Sequence, residues 1–499
     1  MAGEYLTPQV KVINTKTSKS PNKGSSATTG VLIGVTQRGP IGVPTKVSSW
    51  EEYIEKFAYG METPFLADSY LAYSVYGFFQ NANAVLNAGE VSKGADLYIM
   101  RVASTTAKAS TFSATADESP LVINAKDKGK WGDKVKVVLQ VNTEDSALVD
   151  CIVYIGAEKK EQFSRLTKTA TSPKFYETWI NDNSQFINVV AGNFTANTYD
   201  TAFALAGGAD GTEDLTDEIY KGMLVNLDEI EDARPIAIPG ETSEGLTTAL
   251  IDYCKNRRNG DLFPVLDGAK TADVDAIKTY KTAIAGTPGA LYYPWLKVSD
   301  PLSVSSNATI DCPTCGHVMG VIARIANSRG VWKAPAGTEA VVVGAVGLTR
   351  KLKIGEDTDQ LSPNGINAIL VKPEYGIVVW GARTMDSEDM EYVSDQLFNM
   401  YLRTTLDTQT QWAVFEPNKA LTRTKLSTQV EGIMYDLFKQ GAFAGEAEDG
   451  SDSYFVQCDD SINTQQVIDN HQIVCKVGYA LSKPAEFVVF YLSHNLETQ

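Results

Sequence analysis

The middle of the chain alternates between short apolar runs and longer segments in which apolar residues recur at helical spacing. The first pattern predicts buried strands and the second predicts amphipathic helices. Strands are predicted at residues 235–239, 263–267 and 290–295, with helices at 243–255 and 272–284 between them. Strands separated by amphipathic helices are typical of a doubly wound α/β sheet, which we expect here.

A similar pattern occurs nearer to the N-terminus. Strands are predicted at residues 31–35 and 97–102, and helices at residues 50–57 and 64–79. We expect these elements to join the later ones in a single α/β domain, formed by residues 30–104 together with residues 212–344.

The composition of the sequence changes between these two parts. Residues 105–211 are rich in Thr and Ser, and they contain strand patterns at 134–141 and 149–155. We interpret this section as an inserted all-β domain.

A C-terminal α+β domain is predicted for residues 345–483. One helix is expected from residue 387 to about residue 406, with Glu388, Asp389 and Glu391 in its first turn, where the helix dipole favours acidic side chains. A second helix is expected over about residues 422–440, ending before Gly441.

The two ends of the chain each carry an isolated strand pattern. A polar linker, residues 14–29, separates the first strand from the rest of the chain, so residues 1–29 form an N-terminal arm. Such a linker reaches about 20 Å on average and about 50 Å when extended. Residues 484–499 form the C-terminal arm. The predicted arm strands consist of Gln9, Val10, Lys11, Val12 and Ile13 at one end and of Phe487, Val488, Val489, Phe490, Tyr491 and Leu492 at the other. Each strand either completes the sheet of its own molecule or extends the sheet of a neighbour.

Composition narrows the possible classes of protein. The 499 residues include 61 acidic and 44 basic residues, giving a net charge of −17. This charge disfavours partners such as nucleic acid or anionic membranes. The sequence has no apolar run of about 20 residues and no secretory signal pattern at its N-terminus, so we expect a cytoplasmic site of synthesis. Six scattered cysteines do not form a disulfide framework and are expected to be reduced.

One short cluster has the residue types of a metal site. Cys312, Cys315 and His317 lie in DCPTCGH, and a Cys-x-x-Cys pair can supply two ligands to zinc. A structural zinc site needs four ligands, and no second pair with suitable spacing is present in the sequence. We therefore favour two ordinary loop cysteines over a metal or redox site.

The other candidate chemistry is equally weak. The sequence has only three histidines and no G-x-S-x-G motif, which argues against a catalytic triad. It also has no phosphate-binding glycine loop. Two acidic loops do not match a calcium-binding loop, and we interpret them as solvated charge. They contain Asp210, Glu213, Asp214, Asp217 and Glu218 in the first, and Glu446, Glu448, Asp449 and Asp452 in the second. We predict no catalytic residue, no metal site and no cofactor.

The most distinctive sequence lies between residues 364 and 418, where GINAILVKPEYGIVVWGARTM precedes a predicted helix and TQWAVFEPN follows it. Arg383, Trp412, Phe415 and Glu416 lie in this block. Taken alone, the two aromatic residues fit a core. Arg383 and Glu416 fit either a buried ion pair or contacts between subunits, and the sequence does not distinguish these alternatives.

This block resembles the C-terminal domain of contractile tail sheath proteins. Three further segments resemble the same family in the same order: GVLIGVTQRGPIGVPTKVSSWEEYIEKF from residue 30, LYIMRV from residue 97, and PWLKVSDPLS with IARIANSRGVWKAPAG between residues 294 and 337. GKWGDKVKV and LAGGADG resemble phrases in and just after the inserted domain of that family. The resemblance covers nearly the whole chain.

The resemblance implies a structural subunit rather than an enzyme. It implies rings of six copies that stack helically around an inner tube, with the C-terminal domain toward the tube and terminal arms linking the subunits. The implied partners are the tail tube protein and the baseplate and tail terminator proteins, without nucleic acid or direct membrane binding. The implied location is a virion or a phage-tail-like particle assembled in a bacterial cytoplasm. An acidic cytoplasmic α/β enzyme with a β insertion and a zinc-bearing adaptor are the alternatives.

Overall fold

The computed structural model describes residues 28–59, 64–85, 94–114, 120–257, 260–284, 286, 288–303, 305, 307–386, 390–445, 447, 450–484 and 486. Both predicted arm strands, most of the polar linker, Glu388, Asp389, Glu446, Glu448 and Asp449 lie outside these residues. The strands are β1 (Thr29–Gly34), β2 (Thr45–Val47), β3 (Asp96–Arg101), β4 (Thr111–Ser113), β5 (Val122–Ala125), β6 (Val135–Val141), β7 (Leu148–Ile155), β8 (Glu158–Thr167), β9 (Ile187–Val190), β10 (Phe203–Ala204), β11 (Pro235–Ala237), β12 (Phe263–Asp267), β13 (Ala290–Tyr293), β14 (Leu296–Ser299), β15 (Thr309–Cys312), β16 (Ala345–Leu348), β17 (Ile366–Lys372), β18 (Gly376–Val379), β19 (Tyr454–Gln457) and β20 (Lys476–Tyr479). The helices are α1 (Trp50–Phe57), α2 (Leu71–Ala82), α3 (Tyr176–Asn183), α4 (Asp217–Met223), α5 (Glu244–Asn256), α6 (Val274–Ala283), α7 (Cys315–Arg329), α8 (Thr358–Leu361), α9 (Val393–Thr410), α10 (Ala420–Lys439) and α11 (Gln465–Asp469).

A mixed eight-stranded sheet organises the molecule, with strand order β18-β17-β13-β12-β11-β1-β3-β2. The neighbouring strands from β17 to β3 are all paired in parallel. The edge strands β18 and β2 are antiparallel to their neighbours. β17 and β18 belong to residues 345–483, so this sheet crosses the predicted boundary at residue 345; the division into domains remains a prediction.

Both faces of this sheet are covered. Successive side chains of a strand point to opposite faces, so Val31 and Leu32 in β1 enter different apolar clusters. Leu32 lies in a cluster with buried residues of α1, α2 and α7, whereas Val31 lies in one with buried residues of α4, α5 and α6. The cluster that contains Leu32 continues into α9 and α10. The fold is thus of the mixed α/β class.

Helix α1 has the predicted bounds because its ends carry strong local signals. The Ser49 side chain accepts a hydrogen bond from the Glu52 backbone N–H at 3.2 Å, and the Glu52 carboxylate accepts one from the Ser48 backbone N–H at 2.7 Å. These bonds satisfy donors that a helix start leaves free. Lys56 pairs with Glu52 one turn later, at 2.7 Å.

Two predicted helix starts were wrong. The helix expected from residue 64 begins at Leu71, because Ser69 instead turns the chain: its hydroxyl donates to the Val35 carbonyl at 3.0 Å and accepts from the Leu71 N–H at 3.3 Å. The helix expected from residue 387 begins at Val393, because Tyr392 is paired as an extended residue with Arg383. Glu391 therefore precedes the helix and is not in its first turn.

Residues within the predicted insertion form two antiparallel sheets, β10-β6-β7-β8 and β4-β5-β9. They share one apolar cluster that includes Trp131 and Ile187. Arg38, from the loop after β1, connects this part to the eight-stranded sheet. Its guanidinium pairs with Asp127 at 3.1 Å and lies 4.6 Å from the ring centroid of Phe186.

Smaller sheets complete the structure. β14 lies between β15 and β16, and β19 pairs with β20 in an antiparallel hairpin. No described helix has the length and apolarity needed to cross a membrane.

Candidate interaction surfaces

The turn between α9 and α10 presents aromatic side chains at the end of a helical hairpin. The two helices bury their apolar faces against each other and the rest of the core, through residues such as Leu397, Leu406 and Leu426. Trp412, in this turn, is half-buried. Its indole N–H donates to the Gln429 side chain at 2.6 Å, and the Lys425 ammonium lies 4.0 Å from its ring centroid. Trp412 therefore closes the hairpin.

Phe415 lies three residues further along and is 89% exposed. The interpretation of Phe415 as a core residue was therefore wrong, and the alternative of an interface residue remains a prediction. Its backbone has φ of 69°, a left-handed conformation that is uncommon for a bulky residue. Pro417 and Asn418, which follow in FEPN, favour turns and were the signal in the sequence that Phe415 belongs to a loop.

Leu421, which sequence reasoning missed, is a second exposed apolar residue, six positions after Phe415. It is 81% exposed at the second position of α10. Fully burying a side chain of this kind or a phenylalanine contributes about 1.5–3 kcal/mol. The turn surface, defined here as Phe415 and Leu421, is thus suited to a contact with another protein.

Arg383 does not pair with Glu416, so the first of the two alternatives for these residues, a buried ion pair, is wrong, and the alternative of contacts between subunits remains a prediction. The guanidinium binds Glu486, with its Nε at 3.0 Å from a carboxylate oxygen, and Glu391 at 3.3 Å. The hydrogen bond to Glu486 is the largest cause of a raised pKa at Arg383. Lys483 also pairs with Glu391, at 3.1 Å. Glu416 is exposed in the turn.

These ion pairs lie where the described chain ends. Glu486 directly precedes the predicted arm strand that starts at residue 487, so Arg383 contacts the chain just before that predicted strand. Sequence reasoning missed Glu486 because it lies 103 positions from Arg383 in the chain, and such a separation gives no local signal of contact. It missed the pairing of Glu391 with Arg383 because Glu391 was assigned to a helix that in fact begins at Val393.

The hairpin β19–β20 is a second candidate surface. Within the described residues it forms a sheet of two strands only, and such a sheet has unpaired backbone groups along its outer edges. Phe455, in β19, is 53% exposed. An added strand would satisfy the backbone groups of an edge in the manner of β-augmentation.

The Cys-x-x-Cys segment is buried and is not a loop. Cys312 ends β15 and Cys315 begins α7, so the expectation of two loop cysteines was wrong. Burial raises the pKa of both thiols, which disfavours the thiolates that zinc requires. Burial lowers the pKa of His317 to about 4, so this imidazole is neutral at pH 7. In the part of the chain that the structure describes, no group of three or more His, Cys, Asp or Glu is arranged to hold a metal ion.

The hydrogen bonds of Asp267 show that this segment has a structural role. Its carboxylate accepts hydrogen bonds from the backbone N–H groups of Thr314 and Cys315 at 2.8 and 2.9 Å, and from the Thr314 hydroxyl at 2.7 Å. These donors lie at the start of α7, where a helix has unsatisfied N–H groups. Burial raises the pKa of Asp267 and outweighs these hydrogen bonds, which act in the opposite direction. The arrangement docks α7 onto the end of β12 and serves the fold.

The first acidic loop is also used structurally. Asp210 accepts from the Lys130 backbone N–H at 2.8 Å, and Glu218 pairs with Lys221 at 2.7 Å. Asp217 accepts a hydrogen bond from the Ser243 hydroxyl. These carboxylates point to separate partners, which is unlike a shared ion site.

A cleft lined by Lys255, Thr384, Gln396 and Arg403 has a volume of about 150 Å³. Sites for small-molecule ligands usually enclose about 300–1,000 Å³. The cleft is therefore small for an enzyme's substrate site.

Comparison with known proteins finds similarity to tail sheath proteins. Residues 208–385 match the family model described as the phage tail sheath protein central domain. Over 166 residues the chain is 28% identical to the tail sheath protein of Enterobacteria phage T4, covering 32% of this chain and 24% of that protein. Over 347 residues it is 24% identical to the tail sheath protein of Salmonella phage ViI, covering 65% of this chain and 52% of that protein. The chain thus spans about a quarter and about half of the length of these two relatives.

The fold extends the similarity to nearly the whole chain. The contracted helical sheath of the anti-feeding prophage superposes with a TM-score of 0.59 at 20% identity, covering 99% of this chain and 100% of that chain. Residues 208–385 are thus similar to the phage tail sheath central domain, and the whole chain has the fold of contractile sheath proteins. The matched family model and both curated relatives carry the name of tail sheath proteins.

Proposed function

We propose that this chain is a structural subunit of a contractile tail sheath. Six copies form a ring, the rings stack helically around an inner tube, and the sheath contracts from a metastable extended state to drive the tube through a target cell envelope. The observation that carries this proposal is the match of the fold over 99% of the chain to a contractile sheath, together with the family match at residues 208–385.

The energy for contraction comes, in this proposal, from interfaces rather than from a nucleotide. Packed subunits exchange one arrangement for another, as in other transitions between rigid bodies. The α/β part supplies a rigid body, since both faces of its sheet are covered by packed helices. A small gain of contact per subunit is multiplied over the many copies of a sheath.

The arms connect subunits by adding strands to a neighbour's sheet. Among the described residues β19 and β20 form a sheet of two strands only, which supports this proposal because the outer edges of such a pair can accept an incoming strand. The ion pairs of Arg383 with Glu391 and Glu486 hold the C-terminal arm at its base. In the proposed assembly, residues 9–13 and 487–492 lie in neighbouring subunits.

The C-terminal domain, residues 345–483, faces the tube. The exposed turn surface of Phe415 and Leu421 supports a protein contact at this end of the domain. The tail tube protein, the baseplate and the tail terminator are the proposed partners, and the particle assembles in the cytoplasm of its bacterial host.

Negative-stain electron microscopy of the purified protein, alone and with its tube protein, tests the proposal. We expect striated tubes or stacked rings. Particles of one subunit's mass under both conditions would contradict it. Removal of residues 1–14 or of residues 486–499 should abolish these assemblies while leaving circular dichroism and thermal unfolding of the chain close to those of the intact protein. A truncated chain that unfolds would show that the arm serves its own subunit.

A further inference from the structure

Two cysteines face each other at the end of the β19–β20 hairpin. The hairpin pairs Val456 with Val477 and Gln457 with Lys476. Continuing this register by one residue places Cys458 opposite Cys475. Directly opposite residues of antiparallel strands have Cα atoms about 4.5–5.5 Å apart, and disulfides join Cα atoms about 4.4–6.8 Å apart. The backbone spacing therefore fits a cross-strand disulfide.

The two side chains are also neighbours. Cys458 Sγ lies 3.5 Å from the carbonyl oxygen of Val474, the residue next to Cys475, and each of the two thiols shifts the pKa of the other. Both cysteines are reduced in this structure. Cys458 is buried, whereas Cys475 is partly exposed, so a small reagent reaches Cys475 first.

The loop between the cysteines holds them in this position. The Asn463 side chain, which is buried, donates to the Val474 carbonyl at 2.8 Å and accepts from the Val474 N–H at 2.7 Å. It also donates to the Asp459 carbonyl at 3.0 Å. Asn463 thus binds the residue next to each cysteine, and the pair is pre-positioned before any bond forms.

We propose that Cys458 and Cys475 are a modification site that forms an intramolecular disulfide when the protein meets a small-molecule disulfide such as oxidised glutathione. The thiolate of Cys475 attacks one glutathione sulfur and releases one glutathione thiolate. The thiolate of Cys458 then attacks Cys475 Sγ in the mixed disulfide, releasing the second. The two protein thiols lose two protons and two electrons in total, and one oxidised glutathione becomes two glutathione molecules.

The electrostatic surroundings agree with Cys458 as the second nucleophile. The neighbouring Cys475 thiol lowers the pKa of Cys458, and the nearby Arg423 guanidinium acts in the same direction, although burial opposes both. The same contact and burial raise the pKa of Cys475, so its thiolate is scarce and its attack on glutathione is the slow step. The bond would close the loop of residues 459–474 and fasten the open end of the hairpin. In a reducing cytoplasm both cysteines stay as thiols.

Mass spectrometry of the folded, full-length protein tests the site directly. No Lys or Arg lies between residues 440 and 475, so both cysteines fall in one tryptic peptide, residues 440–476. After incubation with oxidised glutathione and alkylation in denaturant, this peptide should lose two hydrogen atoms and resist alkylation. Dithiothreitol should restore both alkylation sites, and the urea midpoint should be higher before reduction than after it.

The chain supplies an internal control in Cys312 and Cys315, which share the tryptic peptide of residues 298–324. These thiols are fully buried, and their peptide should remain alkylatable throughout. Cys458→Ser should stop at the glutathione adduct on Cys475, and Cys475→Ser should not react. The proposal is wrong if the intact protein keeps two alkylatable thiols in residues 440–476, if it stops at a glutathione adduct, or if both cysteine pairs oxidise together after unfolding.

Discussion

At the scale of single residues, burial decides the chemistry of this protein more than residue type does. Cys312, Cys315 and His317 have the right elements for a metal site, yet all three are buried in the core and serve packing. Asp395 is another such case. It lies in the first turn of α9, where the helix dipole favours a negative charge, but it is mostly buried. Here the desolvation of the carboxylate outweighs the dipole.

Asp395 should make stability depend on pH. Burial raises its pKa to about 6, with Glu391 acting in the same direction and Lys483 opposing. The pKa of an unfolded aspartate is about 3.9. The folded state therefore binds more protons between these values, and stability is lost as pH rises from about 4 to about 6. A shift of this size corresponds to about 3 kcal/mol.

Asp395→Asn should remove that loss. Compared with the parent, the variant should gain about 2–3 kcal/mol of unfolding free energy at pH 7 and almost none at pH 4. Urea unfolding of the unassembled chain at both pH values measures this difference. Asp436→Asn, on an exposed position of α10, controls for the removal of one negative charge. An equal gain in both variants would contradict the role of burial.

At the scale of elements, the sequence predicted strands and helices wherever local signals agree with packing. α1 has both a cap and an amphipathic face, and its predicted bounds are confirmed. The start of α9 could not be predicted, because Tyr392 is held extended by pairing with Arg383, a contact that depends on the tertiary fold. Phe415 shows the same limit at the candidate site. Hydrophobicity predicts burial for this residue, whereas its turn keeps it exposed.

The contact between α2 and α7 depends on glycines. A Cβ on Gly316 would lie 2.4 Å from the Ser74 carbonyl oxygen and 2.6 Å from Ser74 Cα, and these backbone atoms cannot move aside without shifting α2. Gly316→Ala should therefore destabilise the protein by about 1–3 kcal/mol, the usual range for overpacking. Thermal unfolding of the unassembled chain measures this effect.

Gly432→Ala is the matched control, because a Cβ at this position of α10 meets no atom within 4 Å. Alanine favours a helix over glycine by about 0.8–1 kcal/mol, so the control should be more stable than the parent. If Gly316→Ala is stabilised to the same degree, the two helices are not as closely packed as described.

At the scale of the whole molecule, the parts are joined by a few buried arginines. Arg234 lies beside β11 and is 1% exposed. Its guanidinium donates to the Thr404 hydroxyl of α9 at 2.5 Å and to the Glu231 carbonyl at 3.1 Å. Arg38 joins the two antiparallel sheets formed within residues 111–204 to the eight-stranded sheet. A rigid body of this kind can transmit a rearrangement between subunits, which the proposed contraction requires.

The turn surface provides the sharpest test of the proposed orientation of that body. Phe415→Ser should leave the stability of the unassembled chain within about 0.5 kcal/mol of the parent, because substitutions at exposed positions rarely exceed this change. Assembly around the tube should weaken, because the contact loses about 1.5–3 kcal/mol of apolar burial per subunit. This loss corresponds to a rise of about tenfold or more in the protein concentration at which sheaths form on tubes.

Ile354→Ser is the control for this experiment. Ile354 is another exposed apolar residue, at 64%, and it lies outside the α9–α10 turn. Sedimentation of sheaths with and without tube protein separates the possible contacts. A selective loss of assembly on tubes by Phe415→Ser places the turn against the tube, because only that contact is absent when the tube is left out. An equal loss with and without tubes would instead assign Phe415 to a contact between sheath subunits. Normal assembly in both cases would show that this aromatic residue has no part in the interface, since a buried phenylalanine cannot be replaced by serine without cost.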